Sequence, residues 1–464
     1  FGSSHLAQAF LRVQVRHTRT DNLVRVCSPR SNPMAYPLCA GCLLLCFLRA
    51  AASTDPDAAG VESCPALSTT AHQEGDDLSL MQRSLQVRKL GGAAGLELLP
   101  AAAAPKQQAH GMKGPPVLTA VVDLDLPPEE RWSAFYRANR AAVLATLGSQ
   151  EEIDAEMHHG PGNITAFLES MRLDPQDELL RELRGIAAAL NDSRVTEASL
   201  LWGELGYERG VTGMCTGVLA AAADGTVFHG RNLDLGGAPG YQRQLIDVTF
   251  LKNGTPFMLS THLFFMVGIH TGFRIGKFSV EQNTRRGCSD VEGNLAAARR
   301  GGQPFTLFVR RVLEEAPSFK AAVQTLAQAQ LMAKQYFTVA GPGPFEGALI
   351  TRDRAGVAEP YGNVATLDPK IGRWYLVQTN DDIWRPPMDL RRNAALEKLA
   401  SIAPQDMSAE AMLSVMTTLP VLNPNTIFTW VLEPSTGTRR LFLGGDELDF
   451  VVHGQGPLEP AKLV

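Results

Sequence analysis

The stretch Cys215-Thr-Gly-Val-Leu-Ala-Ala-Ala-Ala-Asp-Gly-Thr-Val-Phe-His-Gly-Arg-Asn-Leu-Asp234 decides how the rest of the chain is read. An apolar run, "TGVLAAAA", meets Asp224-Gly225, and "TVFHGRN" follows. That pattern predicts a β-hairpin with a two-residue type I′ turn. In that register Ala223 faces Thr226, Cys215 faces Asp234, and Arg231 faces Val218. Residues three apart on a regular strand point to opposite faces. Arg231 and Asp234 can then both serve Cys215 only if the ladder is bulged or broken near Gly230–Asn232, and such an irregularity is expected.

These residue types suit a nucleophile. A thiolate attacks carbonyls, and a neighbouring cation lowers its pKa. Arg231 is a permanent cation with a fork of donors. Asp234 can orient an ammonium or that guanidinium. Spacing alone favours a small, inert, buried cysteine beside an ion pair.

Outward from the hairpin, "QLIDVTFL", Asn253-Gly254 and "TPFMLSTH" predict a second hairpin. A helical stretch, "TLFVRRVLEEAPSFKAAVQTLAQAQ", comes next, followed by strands at "YFTVAG", "GALITRD" and "RWYLVQTN". Helices around 390–402 and 408–418 and strands "TIFTWVLE" and "RRLFLGG" finish the pattern. Upstream, "VLTAVVDLDL" alternates as a strand, while 177–191 and 196–208 read as helices, so the part before Cys215 is mostly helical. Runs of strands and runs of helices indicate an α+β fold, with antiparallel sheets covered by helices.

The chain has 464 residues and a formal net charge of -5, and no basic stripe with interleaved aromatics marks a nucleic-acid binder. Residues 1–33 read as an upstream segment with no periodic pattern. Residues 34–52, from Met34 through a short apolar run to Ala50-Ala51-Ala52, read as a secretory signal peptide. Residues 53–113, rich in Ala, Gly, Gln and Ser, read as a disordered or pro-like linker. Four of the seven cysteines precede that linker, leaving Cys64, Cys215 and Cys288, too few for a disulfide framework. Sequons at Asn163, Asn191 and Asn253 suit a secretory route.

The segment "CTGVLAAAADGTVFHGRNLD" resembles the start of the β-subunit in the acid ceramidase and N-acylethanolamine acid amidase family. The resemblance runs from about Pro115 to Phe442 through "PPVLTAVVDLDLPPEERW", "LWGELGYE", "FLKNG", "VGIHTGFRIGKFSV", "EGALITRDRAG", "VQTNDDIW" and "LPVLNPNTIFTWV". "HGRNLD" and "TNDDIW" are the most specific blocks. It implies an αββα N-terminal-nucleophile hydrolase made as an inactive precursor. Self-cleavage between Met214 and Cys215 would separate an α-subunit, 114–214, from a catalytic β-subunit, 215–464, which stay together as a heterodimer. Cys215 would attack the Met214 carbonyl, and Gly213 would permit the strained geometry. The freed α-amine, with an ordinary pKa of about 7.7–8.0, would serve as a general base.

By the same resemblance, Arg231 and Asp234 polarise the thiol–amine pair, and Asn380 donates to the oxyanion, a contact worth about 2.7–4 kcal/mol. Arg391 in "MDLRRN" matches an arginine of the family, with Arg392 as its alternative because the interval from Asn380 is shorter here. The family's glutamate after "KFSV" falls on Thr284, so Glu281 becomes the candidate maturation acid. No metal or cofactor is implied, and the disulfide Cys64–Cys288 stays open. The substrate would be an N-acyl lipid, an N-acylethanolamine or a ceramide, and the compartment a lysosome, an acidic vacuole or the exterior. The run "HLFFMVG", 262–268, would line an acyl channel, touch a lipid surface or form a core strand edge. The alternative function is a catalytically impaired homologue that binds lipid or a partner.

Overall fold

A computed structural model describes residues 117–448 except 154–167, 169–170, 172, 211–212, 237, 286–289, 359–363, 387–388 and 445. The upstream, signal and linker segments, Asn163, Cys64 and Cys288 lie outside the described residues. The strands are β1 (Leu118–Asp123), β2 (Thr216–Ala221), β3 (Val227–Asp234), β4 (Leu245–Lys252), β5 (Thr255–Leu263), β6 (Thr271–Arg274) and β7 (Phe278–Thr284), then β8 (Gln335–Ala340), β9 (Gly347–Arg352), β10 (Ala365–Thr366), β11 (Tyr375–Gln378), β12 (Thr426–Glu433), β13 (Thr438–Leu443) and β14 (Asp446–Leu448). The α-helices are α1 (Ser133–Ala138), α2 (Arg140–Leu144), α3 (Glu178–Leu190), α4 (Glu197–Glu204), α5 (Ala238–Gln242), α6 (Val291–Arg299), α7 (Phe305–Glu315), α8 (Phe319–Gln328), α9 (Leu390–Ala400) and α10 (Ala409–Met416).

Two sheets face each other. One has eight strands in the order β1-β4-β5-β6-β7-β8-β9-β10, and the other has six in the order β11-β2-β3-β12-β13-β14. α7 and α8 pack on the first sheet, and α9 and α10 on the second, which makes a layered α+β fold with helices outermost. All pairings are antiparallel except β1 with β4, which run parallel. The first sheet is therefore mixed. Parallel neighbours need a long crossover, and residues 124–244 supply it between β1 and β4.

β2 shows why this layering follows from sequence. Its even residues Val218 and Ala220 pack with Leu399, Met412 and Met416 on the helix side. Its odd residues Leu219 and Ala221 pack with Ala340, Leu349 and Leu367 between the sheets. A strand buried on both faces needs an unbroken apolar run, which "VLAA" supplies. Helix starts follow side-chain caps: Asp177 accepts from Leu179 N at 3.0 Å, and Thr196 and Ser199 form a capping box.

The first hairpin differs from its expected register by one residue. Thr216 pairs with Asn232, Gly217 with Arg231 and Ala221 with Val227. Ala222 N donates to Thr226 O at 2.8 Å, and Gly225 N to Ala222 O at 2.9 Å, so the loop is Ala223-Asp224-Gly225. Gly225 has φ +94°, the left-handed residue that closes a three-residue loop. Cys215 is thus level with Leu233, not Asp234. The β2–β3 ladder is unbroken at Gly230–Asn232; the irregularity lies instead in β12, where Ile427 is an extra residue between Thr426, opposite Asp234, and Phe428, opposite Leu233. The Asn253-Gly254 hairpin has the expected two-residue loop, with both residues at positive φ.

β6, β7 and α6 are elements that the pattern analysis leaves unassigned. "TGFRIGKFSVEQNT" mixes polar residues into a fully buried strand, so neither period stands out.

Candidate active site

Cys215 stands just before β2, at the edge of the second sheet where β2 begins and β3 ends. Its side chain is buried at 1% exposure, while the preceding Met214 is 47% exposed. Burial pushes the thiol pKa up; the Arg231 charge opposes that, and a hydrogen bond from the Asp234 main-chain N–H also favours the thiolate. In the intact chain burial wins. The lowered thiol expected from Arg231 alone is not what the site produces, because the cysteine is desolvated.

Arg231 and Asp234 reach Cys215 from opposite faces of a regular β3. Arg231 points between the sheets, where Nη1 lies 2.7 Å from Glu281 Oε2 on β7, both side chains being fully buried. The same nitrogen donates to Asn283 Oδ1, whose amide donates to Gln378 O at 3.0 Å. Asp234 points toward the helices. Oδ1 accepts from Thr426 Oγ1 at 2.7 Å, and Oδ2 from Asn423 Nδ2 at 3.0 Å and Arg391 Nη1 at 3.1 Å. Burial pushes the Asp234 carboxyl up, while Arg391 and those hydrogen bonds pull it down. No bulge in β3 is needed, because the cysteine sits at the strand end, where both faces are within reach.

Gly217 makes room for the Glu281 carboxylate. A Cβ at that position would stand 1.6 Å from Oε1 and 2.5 Å from Cδ. Glu281, out of register in the sequence comparison, is the acid in contact with Arg231. Thr284 instead presents its carbonyl to Asn380 Nδ2 at 2.8 Å. Burial pushes the Glu281 pKa up, and Arg231 draws it back. Gly213 stands at the edge of the site, directly before Met214. Its lack of a side chain serves close packing, since a Cβ there would lie 3.1 Å from the Tyr207 ring and 3.5 Å from Cys215 Sγ.

Asn380 bridges the peptide segment on both sides of Met214. Its Nδ2 donates to Gly213 O at 2.9 Å, and its Oδ1 accepts from Cys215 N at 2.9 Å. Arg391 completes this clasp: Nη2 donates to Asn380 Oδ1 at 2.9 Å and Nη1 to Cys215 O at 3.2 Å. Asp389 caps α9 and holds the Arg391 guanidinium. Burial works to raise the Asp389 pKa, but the Arg391 hydrogen bonds and charge hold it below the usual carboxylate range. Arg392 faces away and donates to Asp382 O and Ile383 O, so Arg391 is the arginine at this site.

The structure thus gathers Cys215, Arg231, Asp234, Glu281, Asn380 and Arg391 in one place. It adds residues that pattern reading missed: Asn283, Asn423, Thr426, Asp389 and Tyr207. Only Asp389 carried a local signal, an N-cap aspartate two residues before Arg391. The run 262–268 is not an exposed lipid-facing patch, because His262, Phe264, Met266 and Val267 are buried. Asn191 and Asn253 are exposed, each in a left-handed turn.

No protein-family model matches this chain. It is 34% identical over 319 residues to the N-acylethanolamine-hydrolyzing acid amidase of Rattus norvegicus, covering 67% of this chain and 84% of the relative. The chain belongs to the N-acylethanolamine-hydrolyzing acid amidase and acid ceramidase family. It is also 27% identical over 365 residues to the acid ceramidase of Bos taurus, covering 71% of this chain and 86% of that one. Among solved structures, a Caenorhabditis elegans ortholog of the amidase aligns with a TM-score of 0.44 at 31% identity, over 48% of this chain and 93% of that chain.

Proposed function

We propose that this chain is an amidase of N-acyl lipids, activated by cleavage of its own Met214–Cys215 bond. The observation that carries the reading is the Asn380–Arg391 clasp. It holds Gly213 O and Cys215 N on either side of Met214, with the thiol buried beside it. A chain segment gripped at both flanks presents its middle carbonyl in a fixed pose, which is what intramolecular attack requires.

The steps balance as follows. Cys215 Sγ attacks the Met214 carbonyl carbon, and the thiol proton passes to the Cys215 nitrogen as the C–N bond breaks. That step frees the Cys215 α-amine; water then opens the thioester, which leaves a Met214 carboxylate and returns the Cys215 thiol. The Asn380 Nδ2 that bonded Gly213 O is then available to an oxyanion, while Oδ1 still orients the new amine. In turnover the amine takes the thiol proton, Sγ attacks the substrate amide carbonyl, and the proton leaves on the departing amine. Water hydrolyses the acyl thioester to a fatty acid. Arg391, held by Asp234, anchors the Cys215 main chain, and Arg231 with Glu281 sets the charge around Sγ. The fragments 114–214 and 215–464 would remain associated through the buried helix–sheet contacts. We read the substrate head group as an ethanolamine or a sphingoid base, a reading supported by similarity to an N-acylethanolamine-hydrolyzing amidase and an acid ceramidase. An acidic compartment of the secretory route is the fitting location.

Purified full-length chain incubated at acid pH should yield a fragment whose N-terminus is Cys215. Cys215→Ala should stay intact and turn over neither N-palmitoylethanolamine nor ceramide. Normal processing of Cys215→Ala, or cleavage elsewhere only, would end the mechanism. A processed chain inactive on both lipids would favour a lipid-binding module.

A further inference from the structure

β12 reaches the site through its irregularity. Thr426, Phe428 and Trp430 are two apart, so a regular strand would point all three the same way. Phe428 and Trp430 do share a face and pack into the main apolar core. The extra residue Ile427 turns Thr426 to the opposite face, level with Asp234. The bulge therefore aims one hydroxyl at one buried carboxylate.

That hydroxyl is committed as a donor. Thr426 Oγ1 accepts from Asn423 N at 3.1 Å and gives its one proton to Asp234 Oδ1 at 2.7 Å. Asn423 is committed likewise. Its Oδ1 accepts from Asn425 N at 3.0 Å, which leaves Nδ2 to face Asp234 Oδ2 at 3.0 Å. The turn 423–426 is itself tied down: Thr426 N donates to Asn423 O at 2.9 Å, and Leu235 N to Asn425 O at 2.8 Å.

We propose that Thr426 and Asn423 are positioning residues for self-cleavage and turnover, which hold Asp234 as an ionised acceptor so that it keeps Arg391 on the Cys215 carbonyl. The inference rests on the amidase reading above and deepens it. Asp234 Oδ2 takes Arg391 Nη1, the nitrogen that also donates to Cys215 O. The Asp234 main chain meets the same peptide, since its C=O accepts from Met214 N at 3.1 Å. Rotating or protonating this carboxyl therefore disturbs the clasp.

The charged and titratable groups facing Asp234 are Arg391 from α9, with Asp389 behind it, Arg231 from β3 and the Cys215 thiol at the start of β2. β12 and the turn before it contribute Thr426 and Asn423, both neutral. Burial pushes Asp234 up toward its neutral form. Two donors that cannot turn round oppose this, because a hydrogen bond to the ionised form favours it.

The test uses the full-length precursor, which has no free α-amine on Cys215 to titrate. Its self-cleavage rate is followed from about pH 3 to about pH 8. Thr426→Val keeps the β-branched shape and removes the proton. Its acid limb should move up by about one pH unit, which is about tenfold in rate below the limb. Asn423→Ala should move it the same way. Thr426→Ser keeps the hydroxyl and should retain the wild-type limb. Thr429→Val removes a buried hydroxyl with no partner among the described residues and should leave the limb in place. Urea unfolding of the Cys215→Ala chain reads the same charge without cleavage. Burial holds Asp234 above its unfolded value, so its contribution to stability is lost as pH rises through the folded pKa. Thr426→Val raises that pKa further, so its cost should grow with pH, by about tenfold in the unfolding constant. A Thr426→Val rate lowered equally at every pH, or a Thr429→Val limb that moves as far, overturns the positioning role. So does an unfolding cost that is the same at every pH. A wild type that never self-cleaves fails the amidase reading instead, and the unfolding series then decides whether Thr426 keeps Asp234 ionised.

Discussion

Glu204 gives the fold a pH dependence that one atom exchange should remove. Its carboxylate is fully buried at the end of α4 and accepts from Val267 N, Gly268 N and Thr306 Oγ1. Burial pushes its pKa from the ordinary 4.5 up to about 7, against those donors and the Arg310 charge. In the unfolded chain it titrates at its ordinary value. Between pH 4.5 and about 7 the folded chain therefore keeps a proton that the unfolded chain has released. Stability from this group is fully present below the unfolded pKa and is lost as pH rises through the folded pKa, by up to about 1.4 kcal/mol per pH unit. Across the window that amounts to roughly 3 kcal/mol. Its neighbour Glu208, which accepts from Phe305 N and is likewise pushed up to about 7 by burial, adds a loss of the same sign.

Glu204→Gln keeps an acceptor for the two N–H groups and offers its amide to the Thr306 hydroxyl. It should match wild type near pH 4.5 and exceed it by about 3 kcal/mol near pH 7.5. Urea unfolding at a series of pH values, with a common m-value, reads the difference directly. Parallel curves for the two proteins, offset by the same amount at every pH, would refute the reasoning.

Two further substitutions test the site itself. Arg391→Lys loses the fork that joins Cys215 O, Asp234 and Asn380, so processing and turnover should each fall by about tenfold or more, at about 1.4 kcal/mol per decade; Arg392→Lys should change both far less, and the reverse order in stopped time courses would displace Arg391 from the site. Gly217→Ala forces a methyl against the buried Glu281 carboxylate and should cost about 1–3 kcal/mol, whereas Gly203→Ala enters open space and should gain about 0.5–1 kcal/mol. Equal effects of the two alanines on the thermal midpoint would contradict the packing described.

The second hairpin was legible because Asn253-Gly254 leaves a single favoured loop. The first differs from its expected register by one residue because Asp224-Gly225 suits both a two-residue I′ turn and a three-residue loop ending in left-handed Gly225. Local propensity does not separate the two. What separates them is the burial of β3 on both faces, which turns Arg231 toward Glu281 between the sheets and Asn232 toward the helices. Glu281 was hard to place for a similar reason. A charged residue inside a fully buried strand breaks the expected period unless its partner, Arg231, is already in view.

Apart from β6, β7 and α6, the order of elements, the split into a helical first part and a sheet-rich second part, and the cysteine at the mouth of a strand are carried by local pattern. Apolar period and turn chemistry act over a few residues, so a linear reading reaches them. Which arginine serves Cys215, which acid faces Arg231, and how Asn380 spans Met214 depend on contacts between residues 11 to 176 positions apart. Those contacts are set by how two sheets and their helices pack. Only the tertiary structure turns the run from Gly213 to Cys215 into a clasped peptide with a buried thiol beneath it.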